Sequence, residues 1–203
     1  MSESITYNMD CMEIMKTLPD KAFELAIVDP PYGIERLKNP EGFFEKYGDT
    51  RKANNNMPDE KYFQSLSRVS MNQIVWGGNY FNLPPCRGFI CWDKLQYYPN
   101  YSQAEFAWTS FERPAKIFKF SSTDASRIHP TQKPVALYEW LLTHYAKPGD
   151  KILDTHLGSG SSRIAAYNLG FDFVGCEIDK DYFDAQEKRF AAQRHRRVYS
   201  IRR

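Results

Sequence analysis

The tetrapeptide Asp29-Pro30-Pro31-Tyr32 is the first part of the chain whose residue types and spacing indicate chemistry. It directly follows the β-prone residues 24–28, so it begins where a strand ends. Two successive prolines fix φ and restrict the residue before each, so the loop holds Asp29, the Pro30 carbonyl and Tyr32 in set directions. A carboxylate and a carbonyl together accept both N–H donors of a planar amine such as N6 of adenine, and a tyrosine ring stacks on a base. The alternative interpretation is a rigid turn capped by an aspartate.

A glycine-rich segment, residues 154–161, is the second such part of the chain, and it lies between a predicted strand and a predicted helix. Gly158 and Gly160 let the backbone bend tightly and approach a ligand, and free N–H groups at a helix start favour a polar or anionic group. Glu177 follows the next predicted strand, where a carboxylate can accept both hydroxyls of a ribose. Together these features indicate a nucleoside-bearing cofactor, and the alternative is a structural turn followed by a surface glutamate.

The spacing of the glycines narrows the choice of cofactor. The dinucleotide fingerprint G-x-G-x-x-G is absent because Arg163 stands three positions after Gly160, and the chain has no G-K-[ST] for a triphosphate. A nucleoside without a polyphosphate therefore fits better than a dinucleotide or ATP. S-adenosyl-L-methionine is the common cofactor of that description.

Strand and helix patterns alternate along the chain and must position these segments. Strands are predicted near residues 4–9, 24–28, 73–76, 88–92, 103–109, 115–120, 151–154 and 171–176, and helices near 10–18, 60–70, 134–146, 161–169 and 180–194. This alternation is typical of an α/β protein with a mostly parallel sheet, whose ligands gather at the carboxyl ends of the strands. The strands at 103–109 and 115–120 are expected to form an antiparallel hairpin. Residues 33–62 are interpreted as a long loop that serves as a lid or a DNA-recognition arm.

The composition predicts one folded domain over residues 1–203, because 42% hydrophobic and 15% aromatic residues are too many for a disordered chain. The sequence lacks both a membrane-length apolar run and a signal peptide, so we expect a soluble, cytoplasmic protein. The four cysteines contain no C-x-x-C pair, and no metal site is expected. The tail, residues 186–203, carries seven Lys and Arg against one acidic residue; it either contacts phosphates or is a solvated helix end.

Taken together, the segments resemble the amino-methylating DNA methyltransferases, in particular the permuted β-type N6-adenine enzymes, in which Asp-Pro-Pro-Tyr precedes the glycine-rich segment. The matching motifs are Asp10, Asp29 to Tyr32, residues 76–79, residues 92–94, residues 129–134, Asp154 to Ser161, and Glu177. The resemblance implies a Rossmann-like methyltransferase fold, with a mostly parallel seven-stranded sheet and an antiparallel hairpin at one edge. It also implies that the cofactor is S-adenosyl-L-methionine and that the partner is double-stranded DNA rather than a membrane. A link to restriction-modification systems is implied as well, and a homodimer is compatible with the resemblance.

The resemblance further implies a role for each matching residue. Asp10 and Cys11 are expected near the adenine of the cofactor, and Glu177 at its ribose. Thr131 and Lys133 are expected at its amino-acid carboxylate, where the proline that follows opens a helix with free N–H groups; taken alone, this segment is an ordinary helix entry. The other implied cofactor-binding residues are Asp154, His156, Gly158, Ser159, Gly160 and Ser161, and the implied catalytic residues are Asp29, Pro30, Pro31 and Tyr32.

Two features depart from the family pattern. His156 stands where the family typically has phenylalanine, so we expect packing beside the cofactor to survive and the affinity to become weaker or pH-dependent. Only residues 33–62 and 109–130 remain for target recognition, which favours a short site or help from a second subunit.

The expected reaction is methylation of the exocyclic N6 of adenine in DNA by base flipping, with Tyr32 and loop residues Phe43, Phe44 or Tyr47 stacking on the extruded base. Methylation of N4 of cytosine is the nearest alternative; Asp29, where those relatives often have serine, favours adenine. Methylation of RNA or of a protein side-chain amide is a weaker alternative. A catalytically silent nucleic-acid-binding protein is the alternative from another class.

Overall fold

Eight strands alternate with five α-helices along the described part of the chain. The computed structural model describes residues 2–34, 56–97, 99, 102–122, 127–129 and 131–201. The strands are β1 (Ser4–Tyr7), β2 (Phe23–Val28), β3 (Ser70–Trp76), β4 (Phe89–Asp93), β5 (Ala104–Thr109), β6 (Lys116–Lys119), β7 (Lys151–Asp154) and β8 (Asp172–Cys176). The helices are α1 (Cys11–Thr17), α2 (Glu60–Val69), α3 (Val135–Tyr145), α4 (Ser161–Leu169) and α5 (Lys180–Ile201), and a 3₁₀ helix covers Gly78–Tyr80.

The strands form one sheet in the order β1-β8-β7-β2-β3-β5-β4-β6. Every described strand except β5 points the same way, because β5 is antiparallel to both β3 and β4. The order reverses between β2 and β7, which pair in parallel: the chain leaves β2 toward β3 on one side and leaves β7 toward β8 on the other. A crevice opens at such a switch point, just beyond the carboxyl ends of the two strands.

Helices cover both faces of the sheet, so the central strands are apolar at successive positions. Leu25 and Ile27 of β2 pack into one hydrophobic cluster together with α3 and α4. Ala26 and Val28 pack into a second cluster together with α1 and α2. A strand that is buried on both faces reads as a continuous apolar run, which explains the sequence of β2.

The structure confirms the α/β class and the mostly parallel sheet, but two details of the prediction are wrong. The described residues form eight strands rather than seven. The predicted hairpin between residues 103–109 and 115–120 does not form, because both edges of β5 are already paired, with β3 and with β4. β6 instead adds to the free edge of β4 in parallel, and β4 with β5 makes the antiparallel pair near that edge.

Several boundaries also differ from the prediction. α3 begins at Val135, with Pro134 as its N-cap. α5 continues to Ile201, so residues 186–201 of the basic tail are helical. Residues 35–55 of the predicted long loop, including Phe43, Phe44 and Tyr47, lie outside the described residues. No helix in the described ranges is both long and apolar enough to cross a membrane.

Candidate active site

A cavity of about 760 Å³ opens at the switch point, at the edge where β2 and β7 end. Thirteen of the fifteen site residues predicted from the sequence line it: Asp10, Cys11, Asp29, Pro30, Pro31, Tyr32, Thr131, Lys133, His156, Gly158, Ser159, Ser161 and Glu177. The two predicted loops therefore converge, although 125 positions separate residues 29 and 154 in the chain. The reason is topological, since each loop follows one of two neighbouring parallel strands.

The loop after β2 presents Asp29 with both carboxylate oxygens engaged. The Tyr32 hydroxyl donates to Oδ1 at 2.6 Å, and the Lys133 ammonium donates to Oδ2 at 2.5 Å. Burial first, and then the Asp29 charge, raise the pKa of Tyr32 well above its usual value, so the hydroxyl keeps its proton and remains a donor. A carboxylate has about four lone-pair positions, so Asp29 can still accept a hydrogen bond from a ligand.

The Tyr32 ring is held in place by aromatic stacking and by a glycine. Its ring lies 5.0 Å from the Tyr80 ring at an interplanar angle of 14°. Gly77, directly after β3, has φ +70°, and a Cβ there would lie 2.2 Å from Cε1 of Tyr32. Only a residue without a side chain permits this approach together with this backbone conformation.

A chain of alternating charges extends from Asp29 into the cavity wall. The Lys133 ammonium, whose side chain is 3% exposed, also lies 3.0 Å from Glu105 Oε2, and Glu105 Oε1 lies 2.6 Å from the Lys94 ammonium. Burial alone would lower the pKa of Lys133, but Asp29 and Glu105 reverse this and hold it above its usual value. Burial opposes ionisation of Glu105 as well, but Lys133 and Lys94 lower its pKa to about 2. Lys133 and Glu105 are therefore both charged at neutral pH.

The other half of the cavity is built from the loops after β7, β8 and β1. Glu177 accepts the backbone N–H of Gly158 at 2.8 Å and that of Asp179 at 3.0 Å. Asp10 caps α1 by accepting the N–H of Met12 at 2.8 Å. Burial, followed by Asp10, raises the pKa of Cys11 to about 12, so its thiol is neutral.

Asp154 and Gly160 are the two predicted site residues that lie outside the cavity wall, as far as the described residues define it. Asp154 is buried and accepts the Ser162 hydroxyl at 2.5 Å and the His156 N–H at 3.0 Å, while burial raises its pKa to about 7. Gly160 has φ +72° and forms the N-cap of α4. Both residues therefore support the conformation of the glycine-rich loop without lining the cavity.

One basic residue of the tail, Arg189, supports the same loop. Arg189 donates to the Ser159 carbonyl at 2.8 Å and to the Ser161 hydroxyl at 2.9 Å. This arginine is therefore engaged with the glycine-rich loop and is not a solvated helix end. Thr131, by contrast, is exposed at the cavity edge, where its N–H lies 3.3 Å from His129 Nδ1.

His156 takes part in packing rather than in titration near neutral pH. Its ring meets the Tyr62 ring edge-on at 5.4 Å, and its Nδ1 lies 2.9 Å from the Thr155 hydroxyl. Burial lowers the pKa of His156 to about 4, so the imidazole is neutral above about pH 5. The imidazole thus packs as the sequence predicts, and its own titration lies in acidic solution.

Among the cavity-lining residues that sequence reasoning missed, Tyr80, Tyr62 and Glu105 make the contacts that matter most for the site. Tyr62 donates or accepts a hydrogen bond with Thr155 at 2.7 Å, within the cavity wall. Each of the three residues is far in sequence from its partner, so no local motif marks it. The clearest available signal was Glu105 itself, a charged residue at the start of an otherwise apolar strand.

The sheet order and the cavity at its switch point are those of the Rossmann-like methyltransferase fold. The structure of an M1.HpyAVI–SAM complex is similar over 91% of this chain and 98% of that chain, with a TM-score of 0.62 and 23% identity. The cytosine-N4-specific PvuII DNA methyltransferase is similar over 96% of this chain and 93% of that chain, with a TM-score of 0.61 and 15% identity.

The family model described as DNA methylase, of the N6/N4 amino-methylating type, matches residues 44–188, and the chain belongs to this family. S-adenosyl-L-methionine is the cofactor of the family. The type II methyltransferase M.BglII of Bacillus subtilis is 24% identical over 88% of this chain, and M2.DpnII of Streptococcus pneumoniae is 31% identical over 61% of it. The chain spans 66% and 43% of the lengths of these two relatives.

Proposed function

We propose that this protein transfers the methyl group of S-adenosyl-L-methionine to the exocyclic N6 of adenine in a short site of double-stranded DNA. The observation that carries the proposal is the single cavity shared by the Asp29 loop and the glycine-rich loop. One loop has the acceptors for an amine, and the other has the features of a nucleoside site. Membership of the DNA methylase family supports both parts.

The cavity wall fits the cofactor. The volume of the cavity lies within the range of about 300–1,000 Å³ that is usual for small-molecule sites. Glu177 uses two lone pairs on backbone N–H groups and retains about two for ribose hydroxyls. Asp10, Cys11 and Gly158 line the same half of the cavity. When bound, S-adenosyl-L-methionine supplies an electrophilic methyl group on a sulfonium.

The surroundings of Lys133 favour a role other than the predicted contact with the carboxylate of the cofactor. Its ammonium lies between Asp29 and Glu105, with both carboxylates within 3.0 Å. We therefore assign Lys133 to the amine-binding half of the site. Thr131 and the N-terminus of α3 remain the proposed contacts for the carboxylate of the cofactor.

The amine-binding half explains how a poor nucleophile is oriented. The target base must leave the duplex, because a stacked and paired amine cannot reach a methyl donor inside a cavity. Asp29 and the Pro30 carbonyl accept the two N–H groups and favour a tetrahedral nitrogen, and Tyr32 stacks on the base. Positioning and electrostatics supply most of such catalysis. Asp29 receives the proton only as the new N–C bond forms, since the nitrogen becomes acidic at that point.

Methylation of N4 of cytosine is the second candidate function, because cytosine presents an equivalent amine. The cytosine-N4-specific PvuII enzyme shares the fold. The carboxylate at Asp29 favours adenine in our proposal. Of the two segments proposed to read the DNA, 33–62 and 109–130, residues 35–55, 123–126 and 130 lie outside the described residues, and Lys116–Lys119 forms the edge strand β6.

The test is incubation with S-adenosyl-L-methionine labelled in the methyl group and a mixture of double-stranded DNA sequences, followed by nucleoside analysis. We expect labelled N6-methyladenine. Labelled N4-methylcytosine would establish the second candidate instead. A protein that binds DNA but neither binds the cofactor nor labels a base would be a silent nucleic-acid binder, contrary to the proposal.

A further inference from the structure

Glu105 occupies an unusual place for a carboxylate, near the start of β5, which alone among the described strands runs in the reverse direction. Because β5 is antiparallel to its neighbours, its first residues lie at the edge where the other strands end. Glu105 thus lines the cavity together with Lys94, the residue directly after β4. Its two oxygens lie 2.6 Å from the Lys94 ammonium and 3.0 Å from the Lys133 ammonium.

Four charges alternate along this edge and sum to zero: Asp29 and Glu105 are anions, and Lys133 and Lys94 are cations. The side chains of Lys133, Lys94 and Glu105 are between 3% and 23% exposed, so the charges interact with little solvent screening. A buried ion pair returns about as much free energy as its desolvation costs. Stability alone therefore does not account for the arrangement.

We propose that Glu105 is a positioning residue for methyl transfer, acting through Lys133 on Asp29. The inference rests on the proposed function. The Lys133 ammonium donates hydrogen bonds to Asp29 and to the Tyr32 hydroxyl, which lies 3.3 Å away, and its contact with Glu105 Oε2 at 3.0 Å is an ion pair. Because Glu105 balances part of the Lys133 charge, the ammonium orients the Asp29 carboxylate but attracts it less strongly than an unbalanced ammonium would. The carboxylate remains available as an acceptor for the exocyclic amine.

The first test is Glu105→Gln, a change of charge with almost no change of size. Without the second anion, Lys133 is balanced by Asp29 alone, and the Lys94 charge is uncompensated. We expect kcat to fall about 10- to 100-fold, the range for loss of a partner one contact removed from a reacting centre. The KM for S-adenosyl-L-methionine should stay within about twofold, because Glu177 and the glycine-rich loop belong to the other half of the cavity.

A rescue variant separates charge balance from simple loss of structure. Glu105→Gln combined with Lys94→Met removes one anion and one cation and restores neutrality, so kcat should recover several-fold over Glu105→Gln alone. The matched control is Glu187→Gln, which removes the charge from a distant ion pair, 2.7 Å from Arg163, and should leave kcat unchanged. Urea unfolding and calorimetric cofactor binding of each variant report on folding.

The outcomes distinguish this inference from the proposed function. An active wild type whose Glu105→Gln variant has normal kcat would overturn the inference alone. A folded Glu105→Gln variant with low kcat and no recovery in the double variant would also overturn it, because the loss would not follow the charge. A wild type that binds S-adenosyl-L-methionine but methylates no DNA would overturn the proposed function and this inference with it.

Discussion

Gly77→Ala is the substitution whose effect follows most directly from the geometry of the cavity. Gly77 has φ +70°, where an alanine costs about 1–2 kcal/mol. The added Cβ would lie 2.2 Å from Cε1 and 2.5 Å from Cδ1 of Tyr32, closer than any non-bonded carbons approach. Relieving such an overlap costs about 1–3 kcal/mol more and displaces the ring. The free energy of unfolding should therefore fall by about 2–5 kcal/mol.

The displaced ring should impair catalysis more than binding of the cofactor. A shift of about 1 Å in a positioning group can lower the rate about 100-fold, so we expect a loss of that order in kcat for DNA methylation. The Kd for S-adenosyl-L-methionine should remain close to that of the wild type, since Tyr32 lies in the amine-binding half. Urea unfolding, steady-state methylation and calorimetry measure the three quantities.

Gly149→Ala is the matched control. Gly149 also has positive φ, +91°, but its Cβ would meet no atom within 4 Å. The control pays only the backbone cost of about 1–2 kcal/mol and should retain wild-type kcat. If the two alanine variants methylate DNA at equal rates, the contact between Gly77 and Tyr32 does not position the ring, and our reasoning is refuted.

Three further predictions concern the predicted site residues. Asp29→Ala should abolish turnover while calorimetry still detects the cofactor, and a near-normal rate would contradict its role as acceptor. Glu177→Gln should weaken cofactor binding at least about tenfold in the same titration, because a carboxylate held by two backbone donors is lost; unchanged affinity would exclude Glu177 from the cofactor site. His156→Phe should leave the rate unchanged between pH 7 and 8. The pKa of His156 is lowered to about 4, so unfolding takes up a proton between that value and the ordinary 6.5, and the wild type loses stability as the pH falls through this window. Urea unfolding should show a smaller loss in His156→Phe, and identical pH profiles would contradict the burial of the imidazole.

The convergence of the two loops could be predicted from the sequence because parallel strands place their carboxyl ends together. Asp29 and Gly158 each follow a short apolar run, and their common cavity depends only on β2 and β7 being neighbours. The role of Glu105 could not be predicted, because it depends on the reversal of β5. The direction of that strand is decided by pairing with β3 and β4 rather than by its own residues.

The wrong hairpin has the same origin. Strands that are neighbours in sequence usually pair, and this tendency favours residues 103–109 with 115–120. β4 pairs with that edge of β5, so β6 extends the sheet beyond β4 instead of pairing with β5. Competition between strands for an edge is a property of the whole sheet and leaves no mark in a local pattern.

The seam between β2 and β7 has a consequence for engineering. Loops on one side of it carry Glu177 and Gly158, and loops on the other side carry Asp29 and Tyr80. A foreign loop grafted onto one side of the seam replaces no backbone on the other side. Such a graft would have to preserve the ion pair between Lys133, from the segment before α3, and Asp29. It would also have to preserve the hydrogen bond between Tyr62 and Thr155, which crosses the seam. On the proposed function, the range of amine substrates could thus be changed by grafts on the Asp29 side, while the loops proposed to bind S-adenosyl-L-methionine keep their native sequence.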